Sequence, residues 1–155
     1  MDDQLISLIN KQFPQKIQKV ETLADNKLSL TIEGEDLLEI VKFLKSSPLL
    51  DFNYLACLSG VDYQDHFQIV YHLFSLSNLH YLVLKINLKK DDPQLPTLEG
   101  VFPAANWQER EVYDLLGINF LKHPDLRRIL LPDDWEGYPL RKDYEEKQHS
   151  ENDKL

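Results

Sequence analysis

The stretch FQIVYHLFSLSNLHYLVLKINL occupies residues 67–88 and contains two runs of largely apolar residues. The runs 67–74 and 80–88 are rich in β-branched and aromatic side chains, and the mostly polar residues 75–78 lie between them. This pattern predicts two long antiparallel strands joined by a hairpin turn. One face of such a pair has to be covered by other parts of the chain.

Helices and shorter strands are predicted before this hairpin. Leucine and isoleucine recur there at helical spacing, and Pro14 and Pro48 end the two helices. The order of elements predicts an α+β fold: a two-layer domain of two helices on a mostly antiparallel mixed sheet, then a C-terminal helix and an extended Pro-rich ribbon. The elements predicted before the hairpin are helices at 3–13 and 35–46 and strands at 17–22, 27–32 and 52–58.

Composition limits the class of protein. A chain of 155 residues with 43% hydrophobic residues is long enough for one domain with a sizeable core. Its net charge of −9 disfavours nucleic acid as a partner, because lysine and arginine have to displace counterions from phosphates. No apolar run is long enough to span a bilayer, and the acidic N-terminus is unlike a signal peptide, so a cytoplasmic chain is expected.

No convincing catalytic or metal site is predicted from the residues. The one cysteine, Cys57, lies in the apolar stretch LACLSG and is expected to be a buried core thiol. The five histidines show no paired ligand spacing, and the glycines form no phosphate-binding loop. The many carboxylates lie among arginines, which favours salt-bridge networks or an interface over an acid–base pair.

A third helix is predicted over AANWQEREVYDLLG (residues 104–117), ending at Gly117. Trp107, Glu111 and Leu115 follow one another at four-residue spacing, so they share one side of this helix. A carboxylate beside such bulk is costly to bury alone, and Glu111 is therefore expected to pair with an arginine.

The C-terminal segment, residues 123–144 (HPDLRRILLPDDWEGYPLRKDY), fits neither helix nor strand. Three prolines hold it extended, because each fixes its own φ and biases the preceding residue. Its aromatic residues and arginines are types enriched in protein interfaces. The segment either wraps its own domain and closes the uncovered face of the sheet, or lies on another chain, and physical arguments leave both alternatives open.

WQEREVYDLLGI and the C-terminal segment together strongly resemble the signature of the 30 kDa subunit family, the C subunit of the proton-pumping NADH:quinone oxidoreductase (respiratory complex I). The resemblance covers about residues 50–145 and extends to GVDY at 60–63 and IVYHLFSL at 69–76. One departure is Lys122, where the family usually has glycine; lysine would lower stability if the backbone there has a positive φ. The signature and candidate interface residues are Glu109, Arg110, Glu111, Asp114, Gly117, His123, Pro124, Asp125, Arg127, Arg128, Trp135, Gly137, Pro139, Arg141, Lys142 and Asp143.

The resemblance implies a non-catalytic, cofactor-free subunit in the hydrophilic arm of an enzyme complex that uses NADH, FMN, iron–sulfur clusters and quinone. Its implied partners are the quinone-site subunit and the subunit of the terminal iron–sulfur cluster. It would lie on the cytoplasmic side of the inner membrane, attached only through the complex. The charged residues read as ion pairs, with a partner or within the chain, are Arg127, Arg128, Arg141 and Lys142 with Asp125 and Asp143.

Three alternatives stay open at this point. One is the equivalent subunit of a membrane-bound [NiFe] hydrogenase or of a ferredoxin- or F420-linked quinone-reducing complex. The others are a stand-alone enzyme that uses its carboxylates or Cys57, and a free-standing binding module. The expected organisation is an α+β domain at 1–100, the helix with the extended signature at 101–144, and a polar tail at 145–155.

Overall fold

A computed structural model describes residues 2–145, apart from the side chains of residues 2 and 3. The helices are α1 (Asp2–Gln12), α2 (Leu37–Ser46, preceded by a 3-10 turn at Gly34–Asp36) and α3 (Ala105–Leu116). The strands are β1 (Ile17–Thr22), β2 (Leu28–Ile32), β3 (Tyr54–Asp62), β4 (His66–Ser75), β5 (His80–Lys89), β6 (Gln94–Pro96) and β7 (Asn119–Leu121). The α+β class and the three helices predicted from the sequence are confirmed.

The five long strands form one mixed sheet in the order β1-β2-β5-β4-β3. All neighbours are antiparallel except β2 and β5, which are parallel. The predicted central hairpin is confirmed, since β4 and β5 pair without interruption from His66–Lys89 to Ser75–His80.

The hydrophobic core lies on one face of this sheet, here called the inner face. Alternate residues of β4 are buried there, and they pack with apolar residues of α1, α2 and α3. None of the described helices packs on the opposite face, here called the open face, where the alternate residues of β4 are only half-buried. Central members of the core are Ile9, Leu37, Ile40, Leu44, Ile69, Tyr71, Leu73, Leu84 and Ile86.

Strand β3 continues four residues beyond the predicted end at residue 58. Gly60 lies inside it because α3 approaches closely: a Cβ at this position would lie 2.5 Å from Leu116 Cδ1 and 3.1 Å from Val112 Cγ1. The short parallel pair β6–β7 was not predicted, since two three-residue strands, one of them ending in Pro96, carry no periodic signal.

The predicted polar tail lies outside the described residues from 146 onward. Within residues 2–145, no helix is long and apolar enough to cross a membrane.

Candidate interaction site

The C-terminal end of α3 is the place where the C-terminal segment attaches to the domain. The helix ends at Gly117, which has a left-handed φ of +70° and donates its N–H to the Tyr113 carbonyl at 2.8 Å. A Cβ on Gly117 would lie 2.5 Å from the Tyr138 ring and 2.7 Å from Arg141 Nη2. Glycine is therefore required both by the backbone conformation and by the segment that packs over it.

Asp114 anchors the segment from within the last turn of α3. Its side chain is fully buried, and Oδ2 accepts hydrogen bonds from the N–H groups of Ile129, Leu130 and Leu131 at 3.0, 2.7 and 2.9 Å. Oδ1 lies 2.8 Å from Arg128 Nη1. Burial alone would raise the pKa of Asp114, but these hydrogen bonds outweigh it and hold the pKa below its usual value. An ionised carboxylate thus fixes four consecutive residues of the segment.

Arg128 connects α3 to a later turn of the same segment. Besides the Asp114 carboxylate, Nη1 reaches the Asp114 carbonyl at 3.0 Å. Nη2 donates to the carbonyls of Trp135 and Gly137 at 3.0 and 3.1 Å, and the guanidinium lies 5.3 Å from the Tyr138 ring centroid. One side chain therefore closes the segment into a loop against the helix.

Arg110 holds the start of the segment from one turn earlier in α3. The residue is 8% exposed, and it donates to the carbonyls of Arg127 and Arg128, both at 3.2 Å. The Arg127 side chain instead pairs with Asp125 at 3.0 Å, with 71% and 51% of the two side chains exposed. Such an exposed pair contributes less than about 1 kcal/mol to the stability of the fold. The hydrogen bonds of Arg110 therefore hold this part of the segment more firmly than the Arg127–Asp125 pair does.

Arg141 caps the carbonyl end of α3. Its Nε donates to the Leu116 carbonyl at 2.6 Å and Nη2 to that of Gly117 at 3.4 Å. The guanidinium also lies over the rings of Tyr138 and Phe67, at 4.8 and 5.1 Å from their centroids. A cation at this helix end is favoured by the helix dipole.

Asp62 ties the end of the segment to strand β3. Its Oδ2 accepts the backbone N–H of Lys142 at 2.7 Å, and its Oδ1 pairs with Lys90 at 2.6 Å. Sequence reasoning did not select Asp62, although it lies in the GVDY motif at 60–63. The C-terminal segment thus lies along α3 and the edge of β3, not on the open face of the sheet.

Glu109 is a second buried carboxylate of α3, and it faces the opposite way from the exposed Glu111. Its Oε1 accepts the Leu98 N–H at 2.7 Å, and its Oε2 accepts the Thr97 hydroxyl. His123 Nε2 lies 3.8 Å away, but it donates to the Asn106 carbonyl at 3.1 Å. His123 Nδ1 accepts the N–H of Asp125 at 3.0 Å, so both ring nitrogens are bonded to the backbone and neither bonds to Glu109.

Burial raises the pKa of Glu109 from 4.5 to about 7; the hydrogen bonds from Thr97 and Leu98 oppose this rise, and the charge of Glu99 adds to it. The folded state therefore binds a proton that the unfolded state releases above pH 4.5. Stability from this group is complete below that pH and declines until about pH 7. Between pH 5 and 8 the free energy of unfolding of the native chain should therefore fall by on the order of 2–3 kcal/mol because of this group. We expect this fall to be absent in Glu109→Gln when both chains are unfolded in urea.

Glu111→Gln is the matched control, because this carboxylate is exposed two residues away. It should leave the pH dependence of the native chain unchanged. Identical pH dependence in Glu109→Gln and the native chain would show that Glu109 does not titrate in this range.

Lys122 has a positive φ of +64°, directly before the His123–Pro124 pair. Left-handed backbone is unfavourable for a side chain with a Cβ by about 1 kcal/mol. Lys122→Gly is therefore expected to raise the free energy of unfolding by about 1 kcal/mol in chemical denaturation. Lys122→Ala removes the charge and keeps the Cβ. A similar rise in the free energy of unfolding in that variant would show that the effect comes from the charge and not from the backbone conformation.

Large apolar side chains of α3 and the segment point away from the domain. Trp107, Leu130 and Leu140 are 71%, 61% and 59% exposed. Glu111 and Asp143 are exposed as well, and neither has an ion-pair partner within residues 2–145. The expected pairing of a buried Glu111 with an arginine is therefore wrong, since the buried carboxylates of this helix are Glu109 and Asp114.

The ion pairs expected within the signature are only partly formed. Arg127 pairs with Asp125, while Arg128 pairs with Asp114 of α3. The Arg141 side chain instead donates to the backbone carbonyl of Leu116, and Lys142 donates its backbone N–H to the Asp62 carboxylate. Of the other signature residues, Gly137 has a φ of +82°, Trp135 and Pro139 are half-buried, and Pro124 is exposed.

Cys57 is exposed, so the prediction of a buried core thiol is wrong. A β-bulge lies between Leu55 and Cys57, which shifts Cys57 to the open face and places Leu58 in the core. Within residues 2–145, no group of three or more His, Cys, Asp or Glu side chains is arranged to hold a metal ion.

A family model described as the 30 kDa subunit of the respiratory-chain NADH dehydrogenase matches residues 30–150. The chain belongs to this family. This match confirms the resemblance found in the sequence, and the family is that of a subunit of a respiratory complex.

Three similar proteins illustrate the relationship. The NADH-quinone oxidoreductase C subunit of Roseiflexus sp. (strain RS-1) is 45% identical over 119 residues, which are 75% of this chain and 68% of the relative. A trypsin-resistant fragment (1–134) of Nqo5 is 30% identical with a TM-score of 0.67, covering 81% of this chain and 98% of the fragment. A chain of the archaeal membrane-bound sulfane sulfur reductase has a TM-score of 0.79 at 22% identity, covering 93% and 85%, and shows the fold alone.

Proposed function

We propose that the chain is a cofactor-free structural subunit in the hydrophilic arm of a proton-translocating NADH:quinone oxidoreductase. It braces the subunits that carry electrons through iron–sulfur clusters to quinone. The observation that carries this proposal is that the two sides of the signature differ. On the inner side, buried charged groups bind the chain's own backbone, whereas on the outer side large apolar side chains are exposed.

The buried charged side chains on the inner side hold the segment firmly against α3. Arg110, Asp114, Arg128 and Arg141 together make eleven hydrogen bonds to the segment or to the end of α3. Such bonds to charged groups are stronger than neutral ones and fix the geometry of an irregular segment. None of these four side chains is left for a substrate.

The exposed apolar side chains on the outer side form a surface for other chains. Trp107, Leu130 and Leu140 are each more than half exposed, and exposed apolar groups rimmed by charge are typical of protein interfaces. Of the two alternatives for the C-terminal segment, the first holds in part: its inner side binds its own helix but does not close the open face of the sheet. Its outer side is available to a partner. We assign that partner role to the quinone-site subunit and the terminal iron–sulfur subunit.

Further features support a chain that binds no redox centre itself. Its single cysteine is exposed on the sheet beside His72, and within residues 2–145 no third His, Cys, Asp or Glu side chain completes a group that could hold a metal ion. FMN, iron–sulfur clusters, NADH and quinone would then belong to other subunits. Attachment to the cytoplasmic side of the inner membrane would come through these partners, with residues 101–144 as the part that reaches them.

The equivalent subunit of a [NiFe] hydrogenase or of a ferredoxin- or F420-linked complex is the second candidate. The TM-score of 0.79 to a chain of the archaeal sulfane sulfur reductase favours it only at the level of the fold. We prefer NADH as the electron donor because relatives at 44–50% identity are named as C subunits of NADH-quinone oxidoreductase.

Charge introduced on the outer side of the segment tests the proposal. Leu130→Asp changes a side chain that is 61% exposed, so the isolated chain should keep its stability within about 0.5 kcal/mol. Incorporation into the host's NADH:quinone oxidoreductase, measured by native gel and mass spectrometry, should fall at least tenfold. Val20→Asp, 44% exposed on β1, is the control and should be incorporated normally. Equal incorporation of both variants would contradict an interface at Leu130.

A further inference from the structure

The open face of the sheet lies opposite all three helices and is separate from the C-terminal segment. The strand register puts Cys57 beside His72, His72 beside Val83, and Val83 beside Ser29 on this face. The face thus runs across β3, β4, β5 and β2, and β1 extends it. An antiparallel sheet can expose one face to water, but then that face is polar.

One end of the open face is aromatic instead of polar. Tyr54, Phe74 and Tyr81 lie side by side in register on three neighbouring strands. The Tyr81 hydroxyl bonds to His72 Nδ1 at 2.9 Å, and the rings of Phe74 and Tyr81 lie 6.0 Å apart. Tyr54 is 49% exposed. Partly exposed aromatic residues on a rigid sheet are favourable contacts for another protein.

The remainder of the open face is positively charged on an acidic chain. The register places Lys19, Lys85 and Lys89 there, and the Lys27 ammonium lies 4.4 Å from the centroid of the Tyr81 ring. Three carboxylates contact these residues or their neighbours on the face: Glu21, Asp25, which pairs with Lys27 at 2.6 Å, and Asp65, which pairs with His66 at 2.7 Å. Glu21 is shared between Lys19 at 2.7 Å and Lys85 at 3.5 Å. Lys89 is exposed and has no ion-pair partner in residues 2–145. Four lysines against three carboxylates leave this face with a small positive charge, centred on the unpaired Lys89, although the chain carries a net charge of −9.

We infer that the open face docks an acidic amphipathic helix of a neighbouring protein subunit. The apolar side of the helix would cover Tyr54, Phe74 and Tyr81, and its carboxylates would meet Lys85 and Lys89. A helix is the element that completes a layer on a sheet face. Charge complementarity of this kind selects an acidic partner. The inference rests on the proposed role as a subunit of a larger complex.

Two other occupants fit the geometry less well. A strand added at the free edge of β3 is obstructed, because Gln108 Oε1 already accepts the Leu58 N–H at 2.6 Å. A single-stranded nucleic acid could stack on the aromatic residues, but it requires a basic groove along its backbone, and this face offers no arginine.

The single cysteine makes the test site-specific. Cys57 is exposed on the open face and lies beside His72. Its alkylation by a maleimide is measured by peptide mass spectrometry in the isolated full chain and in the intact complex from the host. We expect at least tenfold slower alkylation in the complex. Equal rates would overturn the inference and leave the chain's membership of the complex untouched, whereas absence of the chain from any complex would overturn the proposed function.

Zero-length carbodiimide cross-linking of the intact complex identifies the occupant. We expect Lys85 or Lys89 to be joined to aspartate or glutamate of a helical peptide in another subunit. Cross-links only to non-helical peptides, or ultraviolet cross-links of this face to nucleic acid, would contradict the inference. Lys89→Glu should restore Cys57 alkylation at least threefold, while Lys42→Glu, on the exposed side of α2, should leave it protected.

Discussion

Asp114→Ala is expected to release the C-terminal segment from α3 and to abolish incorporation of the chain into its complex. The substitution removes the acceptor of three consecutive N–H groups and leaves Arg128 without its carboxylate. Loss of one member of such a buried pair lowers the free energy of unfolding by about 3–5 kcal/mol. Denaturant unfolding of the isolated chain and native gels of host membranes measure the two effects.

Asp125→Ala is the matched control for this prediction. Asp125 is also an aspartate paired with an arginine of the segment, but both side chains are more than half exposed. Its loss should change stability by less than about 1 kcal/mol and leave assembly intact. Similar effects of the two substitutions would mean that the buried carboxylate does not organise the segment.

Gly117→Ala is expected to lower the free energy of unfolding by about 2–4 kcal/mol. A Cβ in left-handed backbone accounts for about 1 kcal/mol, and overpacking adds about 1–3 kcal/mol. The overpacking arises because the new methyl group would lie 2.5 Å from Tyr138 and 2.7 Å from Arg141. The displaced Arg141 would also lose the carbonyls at the end of α3, so assembly should fall together with stability.

Gly100→Ala provides the comparison for Gly117→Ala in unfolding experiments. A Cβ at Gly100 would meet no atom within 4 Å, and no positive φ is found there. This variant should be as stable as the native chain or slightly more stable. Equal stability of the two alanine variants would show that Tyr138 does not pack against Gly117.

The helix α3 and its end were predictable because the relevant signals are local. Apolar spacing and a terminal glycine predicted its limits, and Gly117 adopts the left-handed conformation that this position favours. The partner of Asp114 was not predictable in the same way. It depends on the chain folding back about fifteen residues later, which no periodic pattern encodes.

The choice of Glu111 over Glu109 shows a second limit of sequence patterns. Four-residue spacing groups Glu111 with Trp107, and the bulk of the tryptophan favoured burial of that side; the structure leaves Trp107 71% exposed. A usable signal existed, since Ala105, Glu109, Val112 and Leu116 also share helical spacing and form the buried side. The prediction for Cys57 failed for another reason: the bulge after Leu55 breaks the alternation of the strand.

Purification of the tagged chain from gently solubilised membranes of its host, with mass spectrometry of the proteins that accompany it, tests the central claim most directly. The proposed function predicts co-purification of flavin- and iron–sulfur-bearing NADH-oxidising subunits together with the quinone-site subunit. Recovery of the chain alone would contradict its role as a structural subunit. Recovery with nickel–iron hydrogenase subunits and no NADH-oxidising module would contradict NADH as the electron donor.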